Sequence, residues 1–112
     1  MNIKRGEIWL ANLDPTIGSE INKTRPVIIV SNDTNNRHNN VITIIPITSN
    51  IDRIFSFEVF IPKGEANLPK DSKAKADQIR TIDKARLAKR IGTLSDKYVQ
   101  EIDIALMLHL DL

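Results

Sequence analysis

Two polar residues stand where strands are expected to give way to loops. Arg25 directly precedes the apolar run Pro26–Val30, and Thr48 follows Pro46 at the end of another apolar run. A guanidinium and a hydroxyl that met over a phosphodiester could stabilise the negative charge of a pentacoordinate transition state. RNA carries its own nucleophile, the adjacent 2′-OH, so the protein need not supply one. By residue type alone, a turn arginine and a capping hydroxyl explain the pair equally well.

Other catalytic arrangements find little support in the sequence. The chain has no cysteine, and its two histidines, His38 and His109, are far apart along it. A two-histidine ribonuclease mechanism would therefore need distant positions to converge, and no histidine pair has metal-ligand spacing. The four glycines are scattered singly, so no phosphate-binding loop is indicated, and no spaced carboxylates suggest a two-metal nuclease. If the chain is an enzyme, we expect it to use no metal and no cofactor.

Length and composition limit the class of protein. A chain of 112 residues is long enough for one core and too short for two, so we expect a single domain over residues 1–112. Hydrophobic residues make up 41% and charged residues 27%, as is ordinary for a globular protein. No apolar run approaches the roughly 20 residues that span a bilayer, and the N-terminus lacks the apolar stretch of a signal peptide. We therefore expect a cytoplasmic protein that does not contact membranes.

Charge is distributed unevenly along the chain. Between Lys70 and Arg90 eight basic residues accompany three aspartates, whereas Ser95–Leu112 carries four acidic residues and one lysine. This asymmetry is compatible with a basic face for a polyanion. Two ordinary solvated surfaces would give the same pattern.

Six segments have the residue patterns of short strands. Two of them, Pro26–Val30 and Val41–Ile45, are continuous apolar runs, which are typical of strands buried on both faces. In Lys73–Gln78 we expect the alanines and Gln78 to face inward and the lysines outward. Asn32–Asn40 is expected to be a polar connection with room for one helical turn, and another turn could start at Asp83. The six predicted strands are Glu7–Leu13, Pro26–Val30, Val41–Ile45, Phe55–Ile61, Lys73–Gln78 and Arg90–Leu94.

The C-terminal segment has the pattern of a helix. Ser95 is a suitable N-cap, and Asp96 lies in the first turn, where the helix dipole favours an anion. Beyond Ala105 the apolar surface widens, so this part of the helix is expected to be deeply buried or packed on another subunit. Together the elements predict an α+β fold, with a small, strongly bent sheet or barrel and a C-terminal helix.

Five blocks of sequence occur in the order and spacing of one known family. They cover nearly the whole chain, which resembles the MazF/PemK toxins of type II toxin–antitoxin systems. The resemblance implies an SH3-like antiparallel barrel with a C-terminal helix, a homodimer, and RNA bound in a groove across the two subunits. The matching blocks are Arg5–Leu10, Leu13–Glu20, Arg25–Asn32, Ile45–Ser49 and Ala76–Asp83.

Carried over residue by residue, the resemblance assigns catalysis to Arg25 and Thr48. It implies a sequence-specific, metal-independent endoribonuclease that cleaves single-stranded RNA and leaves a 2′,3′-cyclic phosphate and a 5′-hydroxyl. Arg25 would be an electrostatic clamp and a proton donor or acceptor, although a guanidinium is a poor base. Thr48 would stabilise the transition state by hydrogen bonding. A cognate antitoxin, acidic and partly disordered, is expected to lie on the basic face and compete with RNA.

The resemblance also implies contacts with RNA outside the catalytic pair. The segment 17–20 matches a mobile loop that covers the RNA, although Ile21 replaces the glutamine that many family members have next. Gln78 matches a position near the groove that reads the bases, and a side chain that ties down a loop is an equal alternative. The predicted RNA-binding residues are Ile17, Gly18, Ser19, Glu20, Ser31, Asn32, Ser49 and Gln78.

Two other functions remain open on the sequence. A toxin of the same fold could inhibit DNA gyrase through protein contact, as the CcdB type does, and would act through its C-terminal helix. A barrel without catalytic activity could bind nucleic acid through the basic residues between Lys70 and Arg90. Neither function needs Arg25 or Thr48.

Overall fold

The computed structural model describes all residues, Met1–Leu112, and contains seven strands and two helices. Three 3₁₀ turns, Glu65–Asn67, Ala76–Gln78 and Lys84–Arg86, link some of them. Neither helix has the length and apolar character needed to cross a membrane. In chain order the elements are β1 (Glu7–Asn12), β2 (Thr24–Ile29), α1 (Asp33–His38), β3 (Val41–Thr48), β4 (Glu58–Ile61), β5 (Ser72–Lys75), β6 (Arg80–Asp83), β7 (Leu87–Thr93) and α2 (Asp96–Leu110).

Every strand pairing is antiparallel, and β3 lies at the centre of the sheet. The strand order is β4-β5-β3-β2-β1-β7, with β6 paired to β3 outside this path. Along one edge β3 pairs with β2, and along the other its first half pairs with β6 and its last two residues with β5. This change of partner divides and bends the sheet, which does not close into a complete barrel. The predicted bent antiparallel sheet with a C-terminal helix is confirmed.

Both faces of the sheet are buried, as predicted for β2 and β3. Ile45 and Ile47 of β3 pack in one core with Ile102 of α2, whereas Ile42 and Ile44 belong to a second core on the other face. Successive side chains of a strand point to opposite faces, so a strand between two cores must be apolar throughout. Each fully buried isoleucine contributes about 1.5–3 kcal/mol to the stability of the fold, relative to an exposed one.

Several strand boundaries differ from the prediction. β3 continues through Pro46 to Thr48; the proline falls between the residues paired with β6 and those paired with β5, so its missing N–H removes no bond to either strand. β4 begins at Glu58 instead of Phe55, and β7 at Leu87 instead of Arg90. β6 was not predicted, because its four residues alternate too briefly to give a pattern.

The lysines of β5 contact a buried carboxylate, so the expectation that they point to solvent is wrong. Nζ of Lys73 and Nζ of Lys75 each lie 3.1 Å from a carboxylate oxygen of Glu58, whose side chain is fully buried. Nζ of Lys73 also donates to the carbonyl of Arg53 over 2.6 Å. Burial opposes ionisation of Glu58, but the Phe55 N–H and the two ammonium groups outweigh it and lower its pKa. The strand itself stops at Lys75, and Gln78 lies in a 3₁₀ turn.

Three arginines in the basic segment hold other parts of the chain together. Arg80 and Arg86 donate to carbonyl oxygens at the end of β1 and in the loop that follows it. Arg90 lies 3.0 Å from the largely buried carboxylate of Glu7. With Lys73 and Lys75 also engaged, the segment from Lys70 to Arg90 does not form one free cationic stripe.

α2 begins after Ser95, as predicted, but Ser95 does not cap it with its own side chain. Its hydroxyl donates to Oε1 of Glu65 over 2.6 Å, and the same oxygen accepts the Ser95 N–H over 3.0 Å. These hydrogen bonds lower the pKa of Glu65. Gly92 lets β7 pass beside this turn, because a Cβ there would lie 2.4 Å from the carbonyl oxygen of Ala66.

Replacing Glu65 with glutamine should destabilise the fold by about 1 kcal/mol at neutral pH, because a charged acceptor at a helix start becomes neutral. A carboxylate whose pKa is lowered by folding stabilises the protein above its unfolded pKa, and this stability is lost as the pH falls through the folded pKa. The difference between Glu65→Gln and the wild-type chain should therefore disappear on acidification below the ordinary range of glutamate.

Urea denaturation at neutral and acidic pH measures this difference. Asp52→Asn is the matched control, because Asp52 is exposed and its side chain makes no hydrogen bond or ion pair. A difference for Glu65→Gln that is independent of pH would contradict the assignment.

Candidate active site

The register between β2 and β3 brings Arg25 and Thr48 together. Val27 pairs with Pro46, and the same register continued by two residues sets Arg25 opposite Thr48, the last residue of β3. Opposed residues of an antiparallel pair point to the same face, with Cβ atoms about 4.5–5.5 Å apart. Both residues line one cavity of about 180 Å³.

Both side chains keep donors free for a ligand. Nε of Arg25 donates to the carbonyl of Asn22 over 3.0 Å, which orients the guanidinium and leaves its terminal amino groups without a partner. Oγ1 of Thr48 accepts the Asn50 N–H over 3.2 Å, so the hydroxyl proton remains available. Each residue is half-buried. This arrangement suits a phosphate, since a guanidinium and a hydroxyl can each donate to its oxygens.

The remaining walls of the cavity combine apolar and polar residues. Ile47 and Leu68, which are almost fully buried, also line it. Ser49, predicted to bind RNA, lies here, together with Ser72 and Lys70. Lys70 was not among the predicted site residues; its place at the start of the basic segment was the only signal. The chain contains no group of three or more His, Asp or Glu side chains that could hold a metal ion.

Gln78 ties down the loop between β1 and β2. Its Oε1 accepts the Ile21 N–H over 2.7 Å, and its Nε2 donates to the carbonyl of Ser19 over 3.1 Å. Gln78 and Ser19 line a second cavity of about 380 Å³ together with Ile17 and Glu20. The amide of Gln78 therefore does what the loop-tying alternative expected, and each of its two polar atoms uses one of its two hydrogen-bonding positions on the loop.

The same loop contacts Arg25. Asn22, whose carbonyl accepts the Nε–H of Arg25, directly follows Ile21, whose N–H binds Gln78. Glu20 stiffens the loop from within, because its Oε1 accepts the Ile17 N–H over 2.6 Å. The position of the guanidinium thus depends on a loop segment that Gln78 holds.

Ser31 and Asn32 lie at the other end of β2 from Arg25, roughly 20 Å away along the strand. The Ser31 hydroxyl donates to Asn36 and accepts the Thr43 N–H, and Asn32 caps α1. Ser31 ties α1 to β3 and Asn32 caps α1, so within one chain the structure does not bring these two residues to Arg25 and Thr48. Their contact with RNA stays a prediction.

Replacing Gln78 with alanine should release the loop while leaving the sheet intact, because only the two bonds to Ser19 and Ile21 are lost. Amide hydrogen exchange should speed up by about 10-fold for residues 19–22, and little for β2 and β3, which corresponds to roughly 1.4 kcal/mol of local opening. Gln100→Ala, at an exposed position on α2, is the control. Unchanged exchange in the loop would contradict this role.

Comparison with known proteins finds a family and several solved structures that this chain resembles. A family profile described as PemK-like, MazF-like toxin of type II toxin–antitoxin system matches residues 4–110. The chain is 44% identical to Endoribonuclease MazF9 of Mycobacterium tuberculosis, with 98% of each protein covered. MazF from Deinococcus radiodurans has a TM-score of 0.87 at 22% identity, covering 100% of this chain and 99% of that one. An endoribonuclease in complex with its cognate antitoxin, from a mycobacterial species, has a TM-score of 0.82 at 24% identity, covering 98% and 96%.

The two solved structures share the fold of this chain. The family profile and the 44% identical relative each extend over nearly the whole chain. This chain belongs to the family of PemK-like, MazF-like toxins of type II toxin–antitoxin systems.

Proposed function

We propose that the chain is an endoribonuclease toxin that cleaves single-stranded RNA, including mRNA, at specific sequences and without a metal ion. Membership of the toxin family and the relative named as an endoribonuclease support the class of activity. The observation that carries the proposal is the opposition of Arg25 and Thr48 in one cavity, each with free donors. The family match favours this function over the inhibition of gyrase.

The reaction is an attack of the 2′-OH on its own phosphate. The terminal amino groups of Arg25 hold the non-bridging oxygens and offset the charge that they gain, and the Thr48 hydroxyl donates a further hydrogen bond. The cleaved strand ends in a 2′,3′-cyclic phosphate, and the departing strand in a 5′-hydroxyl. A guanidinium keeps its proton in proteins, so Arg25 acts here as an electrostatic clamp.

The neighbouring loop and Ser49 complete the proposed RNA surface. Ile17 is 84% exposed at the tip of the loop, where an apolar side chain has no partner in the chain and can contact a base. Gly18, Ser19 and Glu20 lie beside it along the second cavity or its rim. Gln78 holds this loop with one acceptor position and one N–H, and its remaining lone pair and N–H can read a base.

Arg25→Ala and Thr48→Ala should each slow cleavage of a long single-stranded RNA about 100- to 1,000-fold, the usual cost of removing one preorganised donor. The assay is gel electrophoresis of the RNA after incubation with purified protein in EDTA, with end-group analysis for the cyclic phosphate.

Asn35→Ala, in α1 and outside the proposed site, serves as a control that should keep the wild-type rate. Intact RNA in the wild-type reaction would refute the ribonuclease function. Cleavage that survives both site substitutions would refute the assignment of the catalytic pair.

We further propose that the chain acts as a homodimer that is neutralised by a cognate antitoxin in the cytoplasm. The last turns of α2 expose a group of apolar side chains that have no cover in one subunit, as expected for a helix that packs on a second one. An acidic, partly disordered antitoxin segment would bind the cationic rim of the cavity and exclude RNA. The exposed apolar residues are Ile104, Met107, Leu108 and Leu110.

The double substitution Met107→Asp/Leu108→Asp should convert a dimer into a monomer, because two carboxylates would be buried in an apolar contact. Analytical ultracentrifugation measures the change, and Lys97→Asp, at an exposed position near the start of α2, is the control. A wild-type chain that sediments as a monomer at micromolar concentration, or a variant that remains dimeric, would exclude this interface.

A further inference from the structure

Lys70 is the only lysine that lines the cavity of Arg25 and Thr48. Its backbone is held in place, because its carbonyl accepts the Ser72 hydroxyl over 2.9 Å. The side chain is exposed and takes part in none of the chain's ion pairs. The adjacent carboxylate of Asp71 instead accepts the N–H of Lys63. A residue that lines the cavity therefore carries an ammonium group that makes no hydrogen bond or ion pair within the chain.

The absence of an ion pair distinguishes the ammonium group of Lys70 from those of the two lysines on β5. Lys73 lies opposite Thr48 in the sheet, but its ammonium binds Glu58 and the Arg53 carbonyl and is largely buried. Lys75 binds the same carboxylate. Of the three lysines in this part of the chain, only Lys70 can approach a ligand in the cavity without breaking an ion pair.

The cleavage described above needs a proton that the catalytic pair supplies poorly. When the bond between phosphorus and O5′ breaks, the departing oxygen is a strongly basic alkoxide unless it receives a proton. A guanidinium holds its protons too tightly for this purpose, and an aliphatic hydroxyl is a weak acid. An ammonium group releases a proton more readily than either.

We propose that Lys70 is the general acid of the reaction, an inference that rests on the ribonuclease function proposed above. The 2′-oxygen bonds to phosphorus while its proton passes to water, the bond from phosphorus to O5′ breaks, and Nζ of Lys70 gives O5′ a proton. The neutral amine then regains a proton from solvent, to which it is exposed. Arg25 offsets the negative charge of the phosphate oxygens, Thr48 donates a hydrogen bond to the phosphate, and Lys70 protonates O5′.

Two variants separate proton donation from positive charge. Lys70→Arg keeps the charge but not the readily released proton, and Lys70→Met keeps most of the stem but neither. On a short RNA with one mapped cleavage site, kcat of both variants should fall about 100-fold, the lower end of the usual contribution of general acid catalysis. KM of Lys70→Arg should stay unchanged.

A second substrate tests the proton directly. It is the same RNA with sulfur in place of the bridging O5′ at the cleavage site; a thiolate leaves without protonation, so both variants should cleave it at the wild-type rate. Thr48→Ala should remain slow on both substrates, because its loss concerns the phosphate oxygens. Lys89→Met, at an exposed position on β7, should match the wild-type chain on both.

Wild-type cleavage of the ordinary RNA by Lys70→Arg would overturn the proposal, since charge alone would then suffice. Failure of the sulfur substrate to restore Lys70→Met and Lys70→Arg would also overturn it and leave Lys70 as a residue that positions the RNA. A wild-type chain that cleaves neither substrate would instead refute the ribonuclease function, so the two failures are distinguishable.

Discussion

The site depends on the pairing of β3 with strands on both of its edges. β2 binds one edge, and β6 and then β5 bind the other. A slip of one residue would turn Ile45 and Ile47 out of their core and every other side chain of β3 to the wrong face. The burial of these isoleucines therefore fixes the register, and the register sets Thr48 opposite Arg25. The geometry proposed for catalysis is a consequence of the packing of the core.

Charge around the cavity follows from the same sheet. The face of β3 that carries Ile44 becomes polar after Pro46. On this face Thr48 lies between Arg25 on β2 and Lys73 on β5. Glu58 binds the ammonium of Lys73. Removing one partner of such a buried ion pair typically lowers the free energy of unfolding by about 3–5 kcal/mol. We therefore assign Glu58 to the fold. The free cations left at the cavity are Arg25 and Lys70, with no carboxylate among its lining residues.

Local patterns predicted the parts of the fold that local chemistry determines. The apolar runs of β2 and β3, the start of α2 after Ser95, and a turn at Asp83, whose side chain accepts the Ala85 N–H, are all confirmed. The role of the β5 lysines was missed because their partner Glu58 is distant in sequence. For the same reason, the residues around Arg25 and Thr48 predicted two strand ends but did not predict that the two residues lie opposite each other. That opposition depends on the register of the strands, and only the family resemblance implied that the two residues act together. Nothing local set Lys70 apart from the basic residues that follow it.

We propose that one register places Arg25 and Thr48 on the same phosphate. A double-mutant cycle in single-turnover cleavage tests this claim most directly, with Arg25→Ala, Thr48→Ala and both together. Groups that act on one transition state as a unit show strongly non-additive losses. We expect the double variant to cleave no more than about 10-fold slower than the slower single variant. Losses that multiply fully would show that the two residues act independently and would contradict their action on one phosphate.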